Sequence, residues 1–331
     1  MKHYRIAVLG ATGVVGREMI DIIEKSAIPA EIVPLGSERS AGTAIDFHGK
    51  PLTVRAARGD SFLGADFVLG AVDSAISRRF APAIAESGAL FIDNSSAFRL
   101  AEEVPLVVPE INGEDAYSHR GIISNPNCST IIALMAAAPL HRLSEIETIH
   151  ACTYQAVSGA GQAGLAELRR QTADLAAGRQ TEARVFPVQI ACNVIPFIGE
   201  ALPGGCTDEE MKMQLEGRRI LHCPKLRVGC TCVRVPVPRS HSIAMTLRTK
   251  RKITPAEAAA AISAFPGCRV AENISGRDYP TPLDLSGQDT VWVGRIREDI
   301  CSERGISLWC CGDQIRRGAA LNAVKIMRLF M

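Results

Sequence analysis

The stretch SNPNCST, Ser124 to Thr130, sets a cysteine directly after Asn-Pro-Asn and directly before a long apolar run. A thiolate is a strong nucleophile and a thiol hardly one, so a cysteine that does chemistry needs surroundings that favour the anion. Pro126 biases Asn125 away from helical backbone. Asn127 is placed to begin a helix, which puts Cys128 in the first turn, where unpaired N–H groups and the macrodipole stabilise negative charge. The other ten cysteines fall in strand-like or loop-like segments without that setting. There a small buried apolar filler is the default, and most of them are expected to be that.

A second chemical signature is GATGVVG, which sets Gly10, Gly13 and Gly16 between the strand-like YRIAVL and the amphipathic REMIDIIEKS. Glycines at such a turn let backbone N–H groups approach a pyrophosphate at the positive end of a helix, so dinucleotide binding is expected of Gly10, Thr12, Gly13, Val14, Val15 and Gly16. Roughly 20 residues further on, where the adenosine ribose belongs, LGSERSAG offers Ser37, Glu38, Arg39 and Ser40. A carboxylate there accepts the 2′-hydroxyl of NAD, whereas a cation flanked by hydroxyls holds the 2′-phosphate of NADP. Three donors against one carboxylate favour NADP. His222, Cys223, Cys230 and Cys232 fall within eleven residues, yet no Cys-x-x-Cys pair exists and VGCTCVRVPV alternates like a strand, so no metal is expected.

These residues need scaffolds. Strands alternating with helices over the first third imply α/β architecture, a doubly wound Rossmann-type parallel sheet over residues 1–127. The stretch FHGKPLTVRAARGDSFLG reads as turns, and VPLVVPEIN and GIISNPN as extended segments. Beyond Cys128, the helix STIIALMAAAPLHRL is followed by the β-rich runs IETIHACTYQAV, RVGCTCVRVPV, SIAMTLRT and TVWVGRIRED and by helices such as TPAEAAAAISAF. That pattern implies an α+β lobe over 128–313 with longer antiparallel strands. The last segment, 314–331, reads as a helix that completes the first domain.

A chain of 331 residues exceeds what one core supports. With 47% hydrophobic and 22% charged residues it has globular composition, and 37 basic against 35 acidic residues provide no field for nucleic acid or a membrane surface. Small-molecule substrates are the expected partners. No run is long enough to span a bilayer, and eleven scattered cysteines without framework spacing suit reduced thiols, so a cytoplasmic location is expected.

The chain resembles the aspartate-β-semialdehyde dehydrogenases nearly end to end, through GATGVVG, SERSAG, DNSSAFR, VPLVVPEIN, SNPNCSTI, YQAVSGAG, EEMKM, CVRVPVPRSHS, YPTPLD, VGRIR and RRGAALNAVKI. The resemblance implies NADPH-dependent conversion of L-aspartyl-4-phosphate to the semialdehyde with release of phosphate, for lysine, methionine and threonine synthesis. It also implies a homodimer or a tetramer of dimers, with the second lobe as catalytic and dimerisation domain. By the same resemblance Cys128 is the nucleophile, with Asn127 beside it, and His241 the general acid/base. Arg234 holds the substrate α-carboxylate, Gln155 orients the substrate, and Glu209 meets its amino group. Arg99 and Lys212 hold the phosphate. Ser158 and Gly159 approach the nicotinamide half, Asn94 and Ser96 line the cofactor end, and Gln314, where the family usually has Asn, directs its amide to the nicotinamide. The segment GAVDSAIS is poorer in serine and glycine than the family's loop near the nicotinamide. N-acetyl-γ-glutamyl-phosphate reductase is the alternative of the same class, against which Glu209, awaiting an ammonium group, favours the aspartyl substrate. A non-catalytic NADP-binding relative is the second alternative, and retention of both Cys128 and His241 weighs against it.

Overall fold

The computed structural model describes residues 2–271 and 278–331. The chain folds as two compact units, Met1–Asn127 with Ala319–Met331, and Cys128–Gly318.

In the first unit the strands are β1 (Tyr4–Leu9), β2 (Ala30–Gly36), β3 (Ala44–Phe47), β4 (Lys50–Thr53), β5 (Arg55–Ala56), β6 (Phe67–Gly70), β7 (Leu90–Asp93) and β8 (Ile122–Ser124). The helices are α1 (Val14–Lys25), α2 (Ser74–Ser87) and α3 (Pro109–Asn112). A six-stranded sheet runs β5-β2-β1-β6-β7-β8, and every pairing in it is parallel. Alternation along β1 explains the two layers: Ile6 and Val8 join Met19, Ile20 and Ile23 of α1 in one core, while Ala7 and Leu9 join Phe80 and Ile84 of α2 in the other. Strand order reverses between β1 and β6, so the carboxyl ends of these two strands form the crevice where doubly wound sheets bind ligands. Two local expectations are corrected. The turn-rich stretch holds the turn and second strand of the antiparallel hairpin β3–β4, and β5, and Pro109–Asn112 is helical because Pro fits the first turn of a helix, leaving only an isolated bridge at Leu106.

In the second unit α4 (Cys128–Leu143) is followed by β9 (Ile146–Ala156), α5 (Gly161–Ala176), α6 (Asp208–Ile220), β10 (Arg227–Val235), β11 (His241–Thr249), α7 (Pro255–Ser263), β12 (Cys268–Val270), α8 (Pro282–Leu285), β13 (Val291–Glu298) and β14 (Gly305–Gly312). The sheet runs β10-β9-β11-β14-β13-β12. It is mixed rather than antiparallel: β10 with β9 and β12 with β13 are parallel, because helical segments intervene before each strand can pair. β14, the apolar run GISLWCCG, is a further strand beyond the β-rich runs named from the sequence. α4 is buried on all sides from Ser129 to Leu140, since it lies between the sheet and helices α6 and α7.

The C-terminal helix is shorter than its pattern suggested. Residues 314–318 belong to the second unit, a π-helical turn spans Arg316–Ala320, and α9 (Leu321–Arg328) packs Val324 and Met327 into the first unit's core. Among the described residues no helix is long and apolar enough to cross a membrane.

Candidate active site

α4 begins at Cys128 itself, and among eleven free cysteines this is the one that opens a helix. Five of the eleven, Cys223, Cys232, Cys268, Cys310 and Cys311, are buried, fewer than the filler expectation, because three others sit in exposed loops. Gly318 makes room for Cys128: a Cβ there would stand 2.9 Å from Cys128 Cβ.

The Cys128 sulfur lies 3.5 Å from Nε2 of His241, a fully buried residue at the start of β11. The Ala156 N–H, at the end of β9, donates to His241 Nδ1 at 3.0 Å. Nδ1 is therefore the acceptor of the neutral ring, and its proton resides on Nε2, directed at the sulfur. Burial, reinforced by the Arg234 guanidinium, pushes the imidazole well below its ordinary pKa. The pair thus sets the Nε2–H of a neutral imidazole against the Cys128 sulfur, with the Arg234 guanidinium as the nearby positive charge.

Arg234 pairs in register with Gln155 across β10 and β9. It is buried, and its Nη1 donates to Ala156 O at 2.8 Å. Burial lowers its pKa, and the Cys128, Glu209 and Cys232 side chains oppose that. Gln155 receives a hydrogen bond from Thr153 Oγ1 and donates to Glu209 at 3.2 Å. Lys212 lies 2.9 Å from both Glu209 and Asp208 on the first turns of α6. Burial alone would lower its pKa, but the two carboxylates outweigh that and raise it. Linked contacts therefore gather a thiol, an imidazole, a guanidinium, an ammonium, a carboxylate and an amide: groups suited to a zwitterionic, phosphorylated acyl substrate.

Ser158, Gly159 and Gln314 belong to this second unit too. Gln314 donates to Ser158 Oγ and accepts from the Ser240 N–H at 2.7 Å, so its amide is engaged inside the protein. Gly159 packs against the Arg234 guanidinium.

The first unit carries its own cleft of about 580 Å³, lined by Gly10, Thr12, Gly13, Ser37, Arg39 and Ser40 among others. Its position at the carboxyl ends of β1 and β6 and its size fit an adenine dinucleotide half. Gly10 has φ +91°, and a Cβ there would meet Ala71 O at 2.4 Å. Gly16 is needed for packing rather than lining, since its Cβ would stand 2.3 Å from Gly10 O. Val14 and Val15 start α1 and are not lining residues of the cleft. Glu38 also lines this cleft, and its carboxylate is paired with Arg58 at 3.0 Å.

Arg99, also of the first unit, is buried and donates to the carbonyls of Asn125 and Asn94. It thereby holds the segment that leads into Cys128, together with Asn322, whose amide reaches Asn125 Oδ1 at 2.7 Å. Asn127 is buried. Asn94 donates to Gly70 O, and Ser96 shares a hydrogen bond with Ser74. Cys230 and Cys232 share one strand face with their sulfurs 3.8 Å apart, and among the described residues no group of three or more His, Cys, Asp or Glu is placed to hold a metal ion. Sequence reasoning missed Ala156, whose contribution is a backbone N–H that no side-chain pattern signals. It also missed Asp208, visible only as an acidic residue four positions before Lys212.

Two family models match the chain: the semialdehyde dehydrogenase NAD-binding domain over residues 5–119 and the semialdehyde dehydrogenase dimerisation domain over residues 137–317. Aspartate-semialdehyde dehydrogenase of Synechocystis sp. is 44% identical over 328 residues, covering 99% of this chain and 97% of that protein. The Aquifex aeolicus enzyme of the same name is 43% identical, with 99% and 98% covered. Among solved structures, aspartate semialdehyde dehydrogenase II from Vibrio cholerae in complex with ASA superposes with a TM-score of 0.96 at 39% identity, covering 100% of this chain and 98% of that one.

Proposed function

Because the chain belongs to the aspartate-semialdehyde dehydrogenase family and has that activity in the biosynthesis of aspartate-family amino acids, we propose that Cys128 carries the substrate's acyl group as a thioester. The Cys128 sulfur attacks the acyl carbon of L-aspartyl-4-phosphate. A C–S bond forms, the C–O bond to phosphate breaks, and phosphate leaves with the electron pair. When bound, the nicotinamide cofactor supplies the hydride that brings the acyl group to the aldehyde level. The C–S bond then breaks, and its electrons return to sulfur. Through its Nε2–H, His241 donates a hydrogen bond first to the sulfur anion and then to the oxyanion that develops at the acyl carbon.

Arg234 holds the α-carboxylate through its planar fork, Glu209 meets the ammonium group, Gln155 orients the chain between them, and Lys212 receives the phosphate. The observation that carries this reading is the 3.5 Å approach of Cys128 Sγ to an imidazole whose other nitrogen is capped by a backbone N–H.

NADPH rather than NADH is the cofactor, with Gly10, Thr12 and Gly13 at the pyrophosphate and Ser37, Arg39 and Ser40 at the 2′-phosphate. In support, Glu38, the residue that would favour NAD, is paired with Arg58. The enzyme acts in the cytoplasm as a homodimer or a tetramer of dimers. Supporting the assembly are the dimerisation-domain match and an exposed sheet face bearing His150, Tyr154, Gly229 and Thr231.

The test is phosphate-dependent NADPH formation from aspartate semialdehyde by the purified chain. Cys128→Ala should abolish it while NADP⁺ still binds, and acid quench of the wild type should leave an acylated peptide containing Cys128. Turnover of the alanine variant within about tenfold of wild type would reject the assignment.

A further inference from the structure

β14 pairs antiparallel with β11 so that Gly312 stands opposite His241. The residues that follow Gly312 thus leave the sheet beside those that precede His241. There Gln314, 3% exposed, spends both ends of its carboxamide: Oε1 accepts the Ser240 N–H at 2.7 Å, and Nε2 donates to Ser158 Oγ. Ser240 is fully buried and has φ +74°. A residue with a side chain keeps such a left-handed conformation only where its neighbours hold it. His241 is the next residue, so any relaxation at Ser240 swings the imidazole.

The backbone from which Gln314 projects is itself fixed. Asp313, fully buried, accepts from the N–H groups of Ile315 and Arg316 through one carboxylate oxygen. Its other oxygen accepts from Arg239 and from the Gly287 N–H. A shorter side chain at 314 therefore cannot be compensated by moving the chain. We infer that Gln314 is a positioning residue for His241, its carboxamide bracing Ser240 and Ser158 so that the imidazole faces the Cys128 sulfur. This rests on the reading of Cys128 and His241 as the reacting pair. It assigns the Gln314 amide to the protein interior, where the family resemblance pointed it at the nicotinamide.

The extra methylene of glutamine over asparagine is what gives the reach, and that separates the two assignments experimentally. Gln314→Met keeps length and packing but removes both hydrogen bonds. Gln314→Asn keeps the amide but withdraws it by one carbon–carbon bond. The full-length variants are compared with wild type for melting temperature, kcat with aspartate semialdehyde, NADP⁺ Kd by calorimetry, and the pH dependence of iodoacetamide alkylation of Cys128.

Bracing predicts that both variants lose about tenfold or more in kcat with NADP⁺ Kd within about twofold of wild type. It also predicts an alkylation midpoint raised by about half a pH unit or more, because the sulfur anion loses its hydrogen bond. A weakened NADP⁺ Kd in Gln314→Met that Gln314→Asn restores, with kcat preserved, would overturn the inference in favour of a cofactor contact. Wild-type kcat and alkylation in either folded variant would overturn it as well. Were the wild-type chain inert toward the semialdehyde, the catalytic reading would fail separately, and an unshifted alkylation midpoint would still refute the bracing.

Discussion

A Cβ on Gly159 would fall 2.7 Å from Nη1 of Arg234. Gly159 sits in the short turn Val157–Ala160 that follows β9, and the same Nη1 donates to Ala156 O at the end of that strand. The turn therefore grips the guanidinium from two sides. The SGAG segment, which the family resemblance attached to the nicotinamide, also sets the position of the group proposed to hold the substrate carboxylate.

Gly159→Ala should accordingly displace Arg234. Steady-state kinetics should show KM for aspartate semialdehyde raised about tenfold or more, because a bidentate contact tolerates little misplacement. Cofactor Kd should stay within about twofold, and an unchanged substrate KM would show that Arg234 is not the carboxylate clamp.

The pH dependence of stability follows from His241, whose imidazole burial and Arg234 hold well below the ordinary value of 6.5. Below that value the unfolded chain binds a proton that the folded ring refuses, so stability should fall as pH drops from 6.5 toward the folded-state pKa. Above 6.5 the group contributes no slope. His119 and His141, also lowered by burial, act in the same direction. The comparison is therefore between wild type and His241→Gln in urea titrations. The variant should lose up to one proton of slope, about 1.4 kcal/mol per pH unit, and parallel curves would refute the neutral, buried ring.

At the first unit's cleft, Arg39→Ala should lower kcat/KM for NADP⁺ by about tenfold or more, the worth of a charge-assisted hydrogen bond. It should leave kcat/KM for NAD⁺ within about threefold. Equal losses with both cofactors would place Arg39 away from the 2′-phosphate.

Asp208 and Glu209 share the Lys212 ammonium at 2.9 Å each. Phosphate approaching Lys212 competes with both carboxylates. Asp208→Asn should therefore lower KM for phosphate by about two- to fivefold, the size of a partly exposed charge pair, and the gain should shrink at high salt. A raised KM would instead mean that Asp208 is needed to hold Lys212 in place.

By itself the sequence determined the parallel α/β unit, because Ile6, Ala7, Val8 and Leu9 flank a glycine turn and an amphipathic helix in a pattern that only a doubly wound sheet satisfies. It also pointed to the cysteine that opens a helix, since Pro126 disfavours helical backbone at Asn125 and the apolar run begins just after Cys128. The family motifs named the polar residues, each by type and place in the chain. Only the tertiary structure decided what those residues touch. The tautomer of His241 depends on the N–H of Ala156, 85 positions away, and the carboxamide of Gln314 finds Ser240 across 74. Such partners are set by strand register and by backbone groups common to every residue, so local spacing carries no signal of them. The exchange of residues 314–318 from one unit to the other has the same origin: β14 runs to Gly312, and its register against β11, not the periodicity of the final segment, fixes where the chain turns back.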